Sequence, residues 1–144
     1  MNKRSGFTLV EVLLVLAIIG IISAIVIPFL AGHRDSARQK STEATAQAVT
    51  AECDSAAKAM TGATPAAVIA YVRALPNFTH PRCKNAYTPN ISAVVAGTAA
   101  KDGDVGLLAS TRADSSGATQ QVILVSYKHQ GTAAPLTSAS VPVE

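Results

Sequence analysis

Apolar and polar positions fall into two regimes along this chain. From Val12 to Ala31 there is no charged residue, and Val, Leu and Ile dominate. Twenty such residues make a helix about 30 Å long, enough to cross the hydrocarbon core of a bilayer. The pattern then changes. Residues 35–60 are rich in Ala, Gln and Lys and contain neither Pro nor Gly, as a helix prefers. Within them Val49, Cys53, Ala56, Ala57 and Met60 recur at helical spacing. The two stretches predict one helix from Phe7 to about Thr61, apolar in its first half and amphipathic in its second. Gly62 is its natural stop. A first half that no globular core covers needs a membrane or sister helices.

Beyond Gly62 the elements shorten. Thr64-Pro65 reads as a cap followed by a first-turn proline. It opens a helix over 66–75 with Val68, Ile69 and Val72 on its apolar face, closed by Pro76. Residues 76–90, with three prolines, read as an irregular loop carrying Cys83. Strands are expected at 91–96, 105–110 and 121–127, with Lys101-Asp102-Gly103-Asp104 and Asp114-Ser115-Ser116-Gly117 as the turns. An antiparallel sheet laid on the amphipathic half of the long helix would cover its stripe, an α+β arrangement. Residues 131–144 are small, polar and proline-bearing, and read as an extended or mobile tail.

Composition narrows the picture. A chain of 144 residues has room for one compact domain. With three Phe, three Tyr and no Trp, that domain has a light core that gains from a staple or from assembly. Net charge is +3, yet without Lys3 and Arg4 ten basic side chains face nine acidic ones, a net of +1. The basic residues form no run, so nucleic-acid binding has no support. Cys53 and Cys83 lack metal-site or Cys-x-x-Cys spacing. Outside the cytoplasm they are expected to pair, and a bridge over that loop stabilises by roughly 3–4 kcal/mol. The alternative is two buried free thiols.

The start of the chain carries the most information. Residues 1–6 are short, polar and positively charged, and Lys3 and Arg4 orient the apolar segment with its N-terminus cytoplasmic. Arg34 and Arg38 beyond the far end weaken that asymmetry. A secretory signal would carry small residues at a cleavage site after the apolar run, and Ala31-Gly32-His33 makes no such site, so the segment reads as retained. Glu11 stands alone in it. A carboxylate at the centre of a bilayer costs up to about 2.5–3.5 kcal/mol, and less near the interface.

The run Lys3-Arg4-Ser5-Gly6-Phe7-Thr8-Leu9-Val10-Glu11 resembles the prepilin processing motif of type IV pilins and their pseudopilin relatives. The resemblance implies a leader over 1–6, removed by a prepilin peptidase between Gly6 and Phe7, and N-methylation of Phe7. It implies a transmembrane and polymerisation helix over 7–32 and a periplasmic or extracellular head over 33–144, pilin-like in fold. Gly20 and Pro28 fall where major pilins tend to carry glycine and proline, and are read as points of kinking or melting. Phe7 and Glu11 become assembly residues, because the ammonium of one subunit can pair with the carboxylate of a neighbour inside an apolar bundle. The implied protein is a homo-oligomeric filament subunit, held in the inner membrane before an assembly platform delivers it to the cell surface. Adhesion, motility and DNA uptake are jobs of such filaments. A type II secretion pseudopilin is the second reading, and a non-polymerising membrane-anchored periplasmic binding module the third.

The remaining candidates carry little chemistry. His33, His80 and His129 have no ligand spacing, and Ser110 and Ser126 lack a nucleophile motif. Asp102 and Asp104 lack the rest of a calcium loop. Asn77-Phe-Thr79 and Asn90-Ile-Ser92 match the short glycosylation acceptor pattern and are read as loop residues. No catalysis, cofactor or metal is expected.

Overall fold

The computed structural model describes residues 7–79 and 81–143. Its elements run α1 (Leu9–Ala59), α2 (Pro65–Ala74), β1 (Val94–Ala96), β2 (Val105–Ala113), β3 (Thr119–Tyr127) and β4 (Leu136–Pro142). The chain divides into two units, the first ending at Ser36 and the second beginning at Ala37.

The first unit is helix without a core. Its large apolar side chains stay open, from Phe7 at 83% exposure through Ile25 at 69% to Phe29 at 69%. The helix is continuous through Gly20 and Pro28, so neither residue ends it. Pro28 has no amide to give, which leaves the Ala24 carbonyl without its helical donor.

In the second unit α1 turns one face inward. Thr42, Ala46, Val49, Cys53, Ala56 and Ala57 are buried at three- and four-residue intervals. They meet Val68, Ile69 and Val72 of α2, and Val105, Leu107, Ile123, Val125 and Val141 of the sheet. Small helix residues and branched strand residues fill this core together, which suits a chain short of aromatics. Thr42, buried on that face, satisfies its hydroxyl by donating to the Arg38 carbonyl at 3.0 Å. Helix α2 starts as expected. Pro65 fills the first turn and the Thr64 hydroxyl accepts from the Ala67 amide at 3.3 Å.

The sheet has the order β1-β2-β3-β4. Strands β2 and β3 form a long hairpin whose turn is held by Asp114, which accepts from the amides of Ser116 at 2.8 Å and Ala118 at 3.0 Å. These bonds hold the Asp114 carboxyl below its usual range, the Ser116 hydroxyl and amide contributing most. The hairpin is buried near its base and exposed along its outer half.

Two sequence expectations are corrected. The sheet is mixed, because β1 runs parallel to β2 with Val94 opposite Val105. The segment around Lys101-Asp104 is therefore a tight crossover and not a hairpin turn. Residues 97–104 fold back over Gly106, where a Cβ would overlap the Ala99 amide and the Gly97 carbonyl. The Gly97 amide donates to Leu107 O and the Val105 amide to Ala93 O, both at 2.8 Å. The Ala99 amide reaches the buried Ser126 hydroxyl at 3.1 Å. Second, part of the expected tail is strand β4, with Val141 and Val143 buried and the Val143 amide donating to Gln121 O at 3.0 Å.

A buried polar pair ties the crossover to the loop before β1. Asn85 and Asp104 are 1% and 3% exposed, and the Asn85 amide donates to Asp104 Oδ1 at 2.9 Å. Asn85 Oδ1 accepts from the amides of Tyr87 and Thr88, and Asp104 Oδ2 from the amide of Lys101. A satisfied polar network of this kind fixes one arrangement of two loops that have few apolar residues of their own.

Candidate assembly site at the start of the first helix

The first turn of α1 is built by Thr8 and Glu11. Thr8 precedes the first helical residue, Leu9, and its carbonyl accepts the first helical bond from the Val12 amide at 3.3 Å. Its hydroxyl oxygen accepts from the Glu11 amide at 3.3 Å. The Glu11 side chain turns back, and Oε2 accepts from the Thr8 amide at 2.9 Å and from the Thr8 hydroxyl at 2.8 Å. This is a capping box, in which cap and third residue satisfy each other's open donors. It also puts an anion at the positive end of the helix dipole. Both bonds end on Oε2, and among the described residues none is made to Oε1.

The surroundings are apolar and open. Phe7, Leu9 and Val10 are 83%, 75% and 72% exposed. Glu11 is the single charged side chain between Phe7 and Gly32. An anchored carboxylate with one oxygen in hand, framed by bare hydrocarbon, suits a cationic partner that arrives with an apolar surface of its own. Gly6, the other half of the expected cleavage site, lies outside the described residues.

The sequence reading singled out Glu11 but missed Thr8. The signal was available, since Thr-x-x-Glu ahead of an apolar run is the sequence signature of a capping box.

The other candidates are dispersed. His33, in the first unit, packs edge-on against Phe29 with ring centroids 4.3 Å apart. His129, in the second, lies 6.2 Å from the Tyr127 ring, and His80 is outside the described residues. Asn77 and Asn90 are exposed loop residues.

Cys53 and Cys83 are both free thiols here, and the expected disulfide is not formed. Cys53 is fully buried within the core, and Cys83, half-buried, packs against that core. Burial raises both thiols, Cys53 to about 11 with help from the Glu52 charge. The thiolate is the reactive form, so a rise of two units cuts its share about 100-fold at neutral pH. In the reduced protein, iodoacetamide is expected to label Cys53 at least about 100-fold more slowly than an unfolded control, and faster as pH climbs towards 11. Equal rates in the folded and unfolded protein at pH 7.5 would rule out that burial.

Residues 1–27 match the family described as "Prokaryotic N-terminal methylation motif". The chain is also 45% identical over 40 residues to the type II secretion system core protein G of Vibrio cholerae serotype O1. That match covers 28% of this chain and spans 27% of the relative's length. No solved structure matches. The methylation motif and the α+β architecture are both similar to those of pilins and pseudopilins.

Proposed function

We propose that this chain is the structural subunit of a type IV pilus filament, with no catalytic role of its own. It enters the inner membrane as a precursor, is cut between Gly6 and Phe7 by a prepilin peptidase, is N-methylated on Phe7, and polymerises through residues 7–32. One observation carries the reading. An apolar helix long enough to cross a membrane lies wholly uncovered within the chain, and it begins at a methylation motif. Lipid covers that helix first and copies of the same helix cover it afterwards, since bare hydrocarbon in water is costly at about 25 cal/mol per Å².

The test is to shear cells and sequence the filament fraction by mass spectrometry. The expected result is this chain beginning at methylated Phe7. A mature N-terminus elsewhere, or a chain confined to the membrane fraction, defeats the proposal.

The second reading, a pseudopilin of a type II secretion system, is favoured by the Vibrio cholerae relative. A deletion strain separates the two. Loss of surface filaments with intact protein export supports the pilus, and the converse supports the secretion system.

A further inference from the structure

We propose that Lys84, Lys101 and Lys128 form a foothold that holds the second unit on an anionic phospholipid surface, the one from which the apolar segment emerges. The inference rests on the reading above that this segment spans the inner membrane, and it concerns the subunit before assembly. The Asn85–Asp104 pair gathers the three lysines from separate parts of the chain. Lys84 precedes Asn85. The Lys101 amide donates to Asp104 Oδ2 at 2.9 Å, and the Lys128 amide to the Asp104 carbonyl at 3.1 Å. Tyr87 marks which end of the unit this is. A Cβ on Gly103 would come within 2.9 Å of the Tyr87 ring, and the Arg38 guanidinium lies 5.5 Å from the centre of that ring. Arg38 is the second residue of the unit, and only seven positions of chain separate it from Ala31, where the apolar run ends. Chain connection alone thus keeps this end of the unit beside the headgroups.

The charge of this end needs an answering anion. Lys84 and Lys101 are exposed and Lys128 is half-buried, and among the described residues none of the three is in an ion pair. Asp102 adjoins Lys101, while Asp104 is buried with both oxygens taken by hydrogen bonds, so the group stays net positive. Other acids lie elsewhere. Asp54 is sixteen residues further along α1 than Arg38, about 24 Å of helical rise, and Asp54 and Asp114 each border a groove lined by Pro142. Basic residues normally collect on the cytoplasmic side of a spanning segment, so cations gathered beyond its far end call for a partner there. A charged lipid surface meets all three ammoniums at once.

The experiment places the full-length chain in lipid discs of phosphatidylcholine, with or without phosphatidylglycerol. A gadolinium-chelating lipid broadens the nuclear magnetic resonance signals of amides that come near the headgroups, with Asp114 as the distant control. Each basic side chain near an anionic surface gains about fivefold in affinity. Broadening at Lys84, Lys101 and Lys128 is therefore expected to rise at least about fivefold with phosphatidylglycerol, and to fall back at about 1 M salt, where charges are screened beyond about 3 Å. A chain carrying Lys84→Glu, Lys101→Glu and Lys128→Glu shows no rise, whereas one carrying Arg73→Glu and Arg112→Glu keeps it. Equal broadening in both lipids overturns the foothold, as does a rise that survives in the triple variant. Should that variant fail to fold, the salt series decides, and a rise that salt leaves intact overturns the proposal. Shifts at the same lysines with inorganic phosphate in lipid-free detergent overturn it too, since a phosphate ion then suffices. Signals that change only as the chain is concentrated, whatever the lipid, make the partner a second copy and the foothold wrong. A chain that separates from the discs on gel filtration defeats the membrane-spanning reading itself, a result distinct from all of these.

Discussion

Valine at position 106 is expected to unfold the second unit of the chain. Gly106 is buried on β2 directly beneath the crossover, and even a Cβ there would sit 2.6 Å from the Thr98 carbonyl carbon and closer still to the Ala99 amide. Those neighbours are backbone atoms, held by the Gly97 to Leu107 and Ala99 to Ser126 hydrogen bonds, so they cannot swing aside as a side chain would. Making room means lifting residues 97–99 off the strand, which gives up the parallel pairing of β1 and opens the core above Leu107. Overpacking by a methyl or two costs about 1–3 kcal/mol where side chains can adjust, and more where backbone must move. A loss of about 4 kcal/mol is a large share of what holds a small domain together. The measurement is thermal unfolding of the full chain in detergent, followed by near-ultraviolet circular dichroism from the tyrosines. Gly106→Val melting within about 3 °C of wild type would show that the crossover yields, and the account of the mixed sheet would be wrong.

That crossover marks where the sequence stopped being legible. Helical period, the Thr64-Pro65 start and the Asp114 turn were readable because each is local: a few residues fix the backbone whatever surrounds them. The strands at 105–113 and 119–127 were readable in place though short at their ends, since their outer halves are exposed and carry no apolar signal. Strand direction was not readable. A Gly-Asp turn between two apolar runs usually means a hairpin, and here the same residues close a parallel return because Gly106 lets the loop lie flat on its neighbour. Strand β4 was hidden for another reason. Thr137, Ala139 and Ser140 are held by pairing with β3, with Ser138 at a shift in register, and the alternation of Val141 and Val143 was the one hint. Asn85 and Asp104 likewise look like loop residues, and nothing local says that nineteen positions of chain bring them together in the core. Thr8 is the exception. Its pattern is local and readable, since Thr8 and Glu11 stand three residues apart at the head of an apolar run.

Removing that charge should leave the precursor intact and stop the polymer. Glu11→Ala abolishes the carboxylate but keeps Phe7, the glycine before it and the apolar helix, so leader cleavage and membrane insertion are expected to proceed. Insertion becomes easier, since the cost of a carboxylate at membrane depth is gone. Assembly then has the opposite problem. On the filament reading proposed above, each N-terminal ammonium enters an apolar bundle with no anion to meet it, and breaking a buried pair by removing one partner costs about 3–5 kcal/mol. At about 1.4 kcal/mol per factor of ten, that is a fall in filament yield of about 100-fold or more, with processed subunit accumulating in the membrane. Glu11→Gln sharpens the test. Its amide oxygen can still accept from the Thr8 amide and hydroxyl, so the first turn is kept while the charge is lost. If pairing with an ammonium is what Glu11 supplies, Gln and Ala fail together. Filaments at normal yield from the Glu11→Ala chain would mean that the ammonium finds its counter-charge elsewhere, and that Glu11 serves only to start the helix.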